Sequence, residues 1–99
     1  MPPSRRLRLP EDVAQLVRSL HPDLKRKIRA GFGKILDDPH AGKALRDDLE
    51  GLRSLRIGRF RIIYRMGSRN VVEVLTVGPR RTVYEETLRR RKREGSERE

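Results

Sequence analysis

From Arg5 to Leu9 polar and apolar residues alternate, which predicts a short strand carrying Leu7 and Leu9 on one face. Pro10 suits the first turn of a helix, and Glu11 and Asp12 follow where the helix dipole favours anions. Val13, Leu16, Val17 and Leu20 then recur at helical spacing, giving a helix over about 11–20. His21-Pro22-Asp23 repeats the start signal. Leu24, Ile28, Phe32, Ile35 and Leu36 mark a second apolar stripe over about 22–37, which Asp38-Pro39 ends. So short a joint implies an antiparallel helical hairpin. Residues 38–51 form a polar connector with Leu45 and Leu49 as anchors. From Leu52 the period changes to two, and 52–57, 60–66 and 71–77 read as strands, with a turn at 67–70. The third is apolar on both faces, as a central strand should be. Thr82 and Glu85 have capping-box spacing, so a last helix is expected to start near 82. Beyond Leu88 no apolar face remains, which predicts a solvated tail.

The order β-α-α-β-β-β-α implies an α+β domain: an antiparallel sheet of about four strands, a helical hairpin on one face and a C-terminal helix. At 99 residues the chain has room for one domain, taken as 1–90, with 91–99 as a charged flexible tail. Aromatics are 4% of residues, so the core must be Leu, Ile and Val. Cysteine is absent, which excludes disulfides, thiolate zinc sites and Cys nucleophiles, and two histidines cannot make a His-rich metal site. Neither a metal nor another cofactor is implied. No apolar run approaches the ~20 residues of a membrane span and no signal-peptide core is present, so a cytoplasmic domain without a membrane partner is expected.

Charge changes the picture. The chain holds 25 Lys and Arg against 14 Asp and Glu, a net of +11, which implies a polyanionic partner. The excess is concentrated late: residues 1–51 carry 11 basic and 8 acidic side chains, residues 52–99 carry 14 and 6. Between Arg53 and Arg81 stand eight arginines, no lysine and one acid, Glu73. Bidentate recognition of phosphate selects arginine over lysine in this way. GC-rich codon usage would do so too.

The turn at Gly58 orders these arginines. Gly at the first central position of a two-residue loop is the type II′ signature, so Ile57 faces Phe60, Arg56 faces Arg61, Leu55 faces Ile62 and Ser54 faces Ile63. Alternation puts Leu55, Ile57, Phe60, Ile62 and Tyr64 on a core face, and Ser54, Arg56, Arg61 and Arg65 on the other. Two arginines directly opposite each other oppose folding unless an anion lies between them. If Met66 opposes Val71, Arg61 opposes Thr76, and the strand delivers Arg80 beside Arg56 and Arg61. Tyr84 lies one turn into the last helix, within reach. The expected constellation is Arg56, Arg61, Arg80 and Tyr84 with Ser54 at its edge, flanked by Arg53, Arg59, Arg65 and Arg81. Ordinary exposed strand arginines would need no ligand, and that reading stands beside it.

Leu45-(x)3-Leu49-Glu50-Gly51, then the run from Leu55 to Tyr64 (LRIGRFRIIY), then Val77 to Tyr84 (VGPRRTVY), together resemble the RelE/ParE family of type II toxins over roughly residues 5–90. The resemblance implies a metal-independent endoribonuclease that enters the ribosome, contacting rRNA, and cuts mRNA in the A site. The ribose 2′-hydroxyl would attack the adjacent phosphorus and leave a 2′,3′-cyclic phosphate. Carried over, Arg61 would hold the phosphate, Arg80 would clamp it or act as acid, and Tyr84 would orient the 2′-hydroxyl or stack on a base. Ser54 and Arg56 fall where the best-known members carry strand lysines, and Pro79 where many carry Lys or His. A guanidinium is a poor base, with a pKa of ~12.5 or more. The resemblance also implies an acidic antitoxin that folds over the domain. It leaves two rivals open: a ParE-like inhibitor of DNA gyrase, and a non-catalytic basic module that binds RNA or the ribosome.

Other residues have simpler readings. His21 is a capping or loop residue, His40 is solvent-exposed, Tyr64 packs in the core, and Asp47, Asp48 and Glu50 are a local acidic group.

Overall fold

The computed structural model describes residues 5–97. In chain order the elements are β1 (Arg6–Arg8), α1 (Glu11–Ser19), α2 (Pro22–Asp37), β2 (Lys43–Ala44), a 3-10 turn (Asp47–Leu49), β3 (Arg53–Ile57), β4 (Phe60–Met66), β5 (Val71–Pro79) and α3 (Arg80–Glu97). The sheet has five strands in the order β1-β5-β4-β3-β2. It is mixed, because β1 runs parallel to β5 with Leu7 beside Val72. No tight turn joins β1 to β5, so nothing local forces the antiparallel pairing that the β3–β4 and β4–β5 hairpins have.

The α1–α2 hairpin covers one face. Val13, Val17, Ile28, Phe32 and Ile35 pack there against Leu55, Ile62, Tyr64, Val72, Val74 and Val77. Burying each such side chain contributes ~1.5–3 kcal/mol. Gly31 lets α2 sit close, since a Cβ there would stand 2.7 Å from Ile57 Cδ1. His21 caps α2 by accepting a hydrogen bond at Nδ1 from Asp23 N–H (3.2 Å). Tyr64 is fully buried, and its hydroxyl donates to Pro39 O (2.7 Å) and accepts from Gly42 N–H (2.8 Å). That hydroxyl fastens the connector, whose end becomes β2.

The opposite face carries a smaller cluster of Leu52, Ile63, Leu75 and Val83, against which Leu45, Leu49 and Tyr84 pack. The β3–β4 register is the one the sequence predicts, from Ile57 opposite Phe60 to Ser54 opposite Ile63. Gly58 has φ +58° and Arg59 does not take positive φ, as a type II′ turn requires. The β4–β5 register differs from expectation. Met66 opposes Val72, because Arg69 and Asn70 both take positive φ and lengthen the turn by one residue. A bulge between Ile63 and Tyr64 adds another on β5. Arg61 therefore opposes Gly78, not Thr76. The bulge turns both Leu75 and Thr76 to the α3 side, where Leu75 joins the second cluster and the Thr76 hydroxyl meets that of Thr87.

Two boundaries also move. α3 starts at Arg80, straight from β5, rather than near residue 82. It also continues to Glu97 in place of the expected tail, held by side chains from the sheet and α1; Arg98 and Glu99 lie outside the described residues.

Candidate functional site

β4 ends its N-terminal side at the Gly58-Arg59 turn, and α3 begins beside that turn, with Arg80 N–H donating to Arg59 O (3.0 Å). Arg56, Gly58, Arg59, Phe60, Arg61, Pro79, Arg80 and Arg81 line an open groove of about 570 Å³ there. The β3–β4 turn, the strand ends beside it and the start of α3 thus bring five guanidinium groups together. Arg56 and Arg61 are direct cross-strand neighbours. Arg61 folds its guanidinium onto the turn, with Nη1 donating to Gly58 O (3.2 Å) and Phe60 O (3.1 Å). Among the described residues, no carboxylate lies within 4.0 Å of any of the five. Arg80 and Arg81 also sit at the positive end of the α3 dipole, whose first turn contains no acid. Cations at that end oppose helix formation by ~0.3–1 kcal/mol each. The arrangement is poor for folding and well suited to an anion, since five guanidiniums and the positive end of a helix dipole meet at one groove.

Ser54 and Tyr84 form an adjoining pair. Tyr84 packs on the second cluster, and its hydroxyl lies 3.1 Å from Ser54 Oγ. Ser54 is on the same face as Arg56, two residues or ~6.6 Å along β3. The pair borders the groove without lining it. Two arginines named from the sequence are elsewhere. Arg53 points to the other side of β3, with Nε donating to Gly42 O (3.0 Å), and so ties down the connector. Arg65 lies at the far end of β4, bonded to Glu94 (3.2 Å) and Glu73 (3.4 Å). Burial disfavours its charge, but Glu94 and Glu73 outweigh burial and raise its pKa above the ordinary value.

The site's face also carries a residue that the sequence did not single out: Lys43, in β2 directly opposite Ser54. Only the pairing of β2 with β3 reveals it, because β2 reads as polar connector. Among the described residues no group of three or more His, Cys, Asp or Glu is placed to hold a metal ion. No described helix is long and apolar enough to cross a membrane.

Residues 8–84 match the model of the ParE toxins of type II toxin–antitoxin systems, parDE. The chain belongs to the RelE/ParE family of type II toxins. It is 35% identical over 79 residues to Toxin RelE of Mycobacterium tuberculosis, an alignment covering 78% of this chain and 71% of that one. Its fold is similar to the toxin–antitoxin complex RelBE2 of the same organism, with a TM-score of 0.68 and 27% identity over 79% of this chain and 100% of that one. A mutant of the E. coli toxin RelE in the free state shares the fold at a TM-score of 0.70 and 23% identity, covering 89% and 98% of the two chains. In this RelE/ParE toxin the convergence of Arg56, Arg61 and Arg80 is therefore built on the family's own scaffold.

Proposed function

We propose that this toxin is a ribosome-dependent mRNA endoribonuclease whose substrate phosphate sits in the arginine groove. The observation that carries the reading is the set of five guanidinium groups without carboxylate partners at the Gly58 turn, beside the Ser54–Tyr84 hydroxyl pair. Cleavage by 2′-hydroxyl attack builds negative charge on a five-coordinate phosphorus, and fixed guanidiniums stabilise such charge more than they stabilise the ground state. Arg61, held by two turn carbonyls, is pre-organised to contact a non-bridging oxygen; Arg80 and Arg56 flank it. Tyr84 orients the ribose or stacks on a base. Arg59 and Arg81 hold neighbouring phosphates. Ser54 fixes the Tyr84 hydroxyl. Arg53 and Arg65 support the connector and α3 rather than the RNA.

A cognate antitoxin accompanies this reading, since the similar M. tuberculosis structure is a toxin–antitoxin complex. An acidic antitoxin segment laid over the groove would neutralise it, with salt-sensitive association.

The test is to add the purified toxin to translating ribosomes and map mRNA 5′ ends. Codon-spaced cuts that fall at least ~10²-fold with Arg61→Ala support the ribonuclease. The matched family description names ParE toxins, so gyrase is the second reading: inhibited supercoiling with intact mRNA would establish it. Binding to ribosomes with neither effect would leave only an RNA-coating module.

A further inference from the structure

The five arginines can bind and stabilise a phosphate, yet none can take a proton near neutral pH, because a guanidinium stays protonated there. The proposed reaction needs a proton acceptor for the 2′-hydroxyl. The two histidines do not supply it: His21 caps α2, and the His40 ring turns towards Asp38 (Nδ1 to Oδ1 4.0 Å) at the end of that helix. Lys25, Lys27 and Lys34 are on α2, across the sheet, and Lys92 lies twelve residues or ~18 Å along α3 from Arg80.

Lys43 is placed differently. It pairs with Ser54 in the β2–β3 register, and residues directly opposite in antiparallel strands share a face. A second observation fixes the same face. Leu45, two residues on, packs on the cluster that holds Leu52, Ile63 and Tyr84, and its N–H donates to Leu52 O (2.9 Å). Alternation then puts residue 43 on the side of Ser54, Arg56 and Tyr84. Arg56 is the diagonal cross-strand neighbour, ~7–8 Å away and within reach of a lysine side chain. Lys43 is exposed, and among the described residues it forms no ion pair.

We infer that Lys43 is a catalytic residue, the base that receives the 2′-hydroxyl proton; this rests on the ribonuclease reading above. Once the Lys43 ammonium has given a proton to solvent, its free amine takes the 2′-hydroxyl proton while the 2′-oxygen bonds to the adjacent phosphorus. The bond from phosphorus to the 5′-oxygen breaks, its electron pair leaves on that oxygen, and the oxygen takes a proton from water. The products are a 2′,3′-cyclic phosphate and a 5′-hydroxyl, and the ammonium returns its proton to solvent. The groups facing Lys43 are Ser54 and Arg56 from β3 and Tyr84 from α3; Asp38 and His40 precede it in the connector. An edge strand of two residues thereby brings an amine to a face on which β3 and β4 provide only guanidiniums and a hydroxyl.

Single-turnover cleavage of a defined mRNA on ribosomes tests this, with unchanged circular dichroism confirming that each variant folds. Lys43→Arg keeps the charge and abolishes proton transfer, so the rate should fall by ~10²-fold or more with half-saturation unchanged. Lys43→Ala should fall similarly and recover in part with small primary amines. The rate of the unaltered toxin should rise with pH, and that rise should flatten in both variants. Lys34→Ala, on the outer face of α2, should cleave normally. Cleavage by Lys43→Arg at the unaltered rate, with Arg61→Ala inactive, would overturn this assignment and leave the ribonuclease standing. Weaker binding of Lys43→Ala without amine rescue would also overturn it, making Lys43 a phosphate contact. No cleavage by the unaltered toxin would overturn both.

Discussion

At the scale of single residues, buried hydroxyls decide how α3 meets the sheet. Thr87 is fully buried; its hydroxyl donates to Val83 O (2.6 Å) and meets the Thr76 hydroxyl. Thr87→Val removes both contacts and leaves Thr76 buried with no partner, so stability should drop by ~1–3 kcal/mol in urea unfolding. Adding Thr76→Val should recover part of that loss, because removing both partners removes the desolvated orphan. The polar identity of these threonines is visible in the sequence; their meeting is not. It depends on the bulge that turns Leu75 and Thr76 to the same side. The opposite holds at the arginines. Gly58 alone determines a two-residue loop, and period-two alternation then forces Arg56 opposite Arg61. The same alternation sends Arg53, one residue from Ser54, to the other face of β3, where it bonds Gly42 O.

At the scale of elements, α3 is where local reading fell short. Its last turns have no apolar stripe, and alone they would fray. Tertiary ion pairs hold them: Glu94 with Arg65, and Arg90 with Asp12 at the start of α1. The hydrogen bond from Arg90 holds the Asp12 carboxyl below the usual carboxylate range, outweighing its partial burial. A depressed folded value means that this pair contributes stability above the unfolded pKa of ~3.9, lost as pH falls through the folded value. Urea midpoints measured from pH 7 to pH 2.5 should therefore show Asp12→Asn less stable at neutral pH. The gap should begin to close at about pH 4 and go on closing as pH falls through the lower folded value. Asp12 is 64% exposed, so the gap should also shrink in high salt. The groove depends on this element, because α3 carries both Arg80 and Tyr84.

At the scale of the whole molecule, charge is sorted by the fold. Carboxylates gather around the later turns of α3, near Arg65, Arg90 and Arg93, while the groove at its start keeps five arginines without carboxylate partners. Single-stranded RNA bound there should lose affinity with salt, and Arg80→Ala should lower the log–log slope by ~0.7 in fluorescence anisotropy titrations. Arg65→Ala should leave that slope unchanged. By itself the sequence determined the α+β order of elements, the helical hairpin, the β3–β4 register and the crowding of arginines, because each follows from periodicity and one glycine turn. Only the tertiary structure decided the parallel entry of β1, the shift that sets Arg61 opposite Gly78, the persistence of α3 and the arrival of Lys43 beside Ser54. Those features depend on contacts between residues far apart in the chain, which no local period encodes.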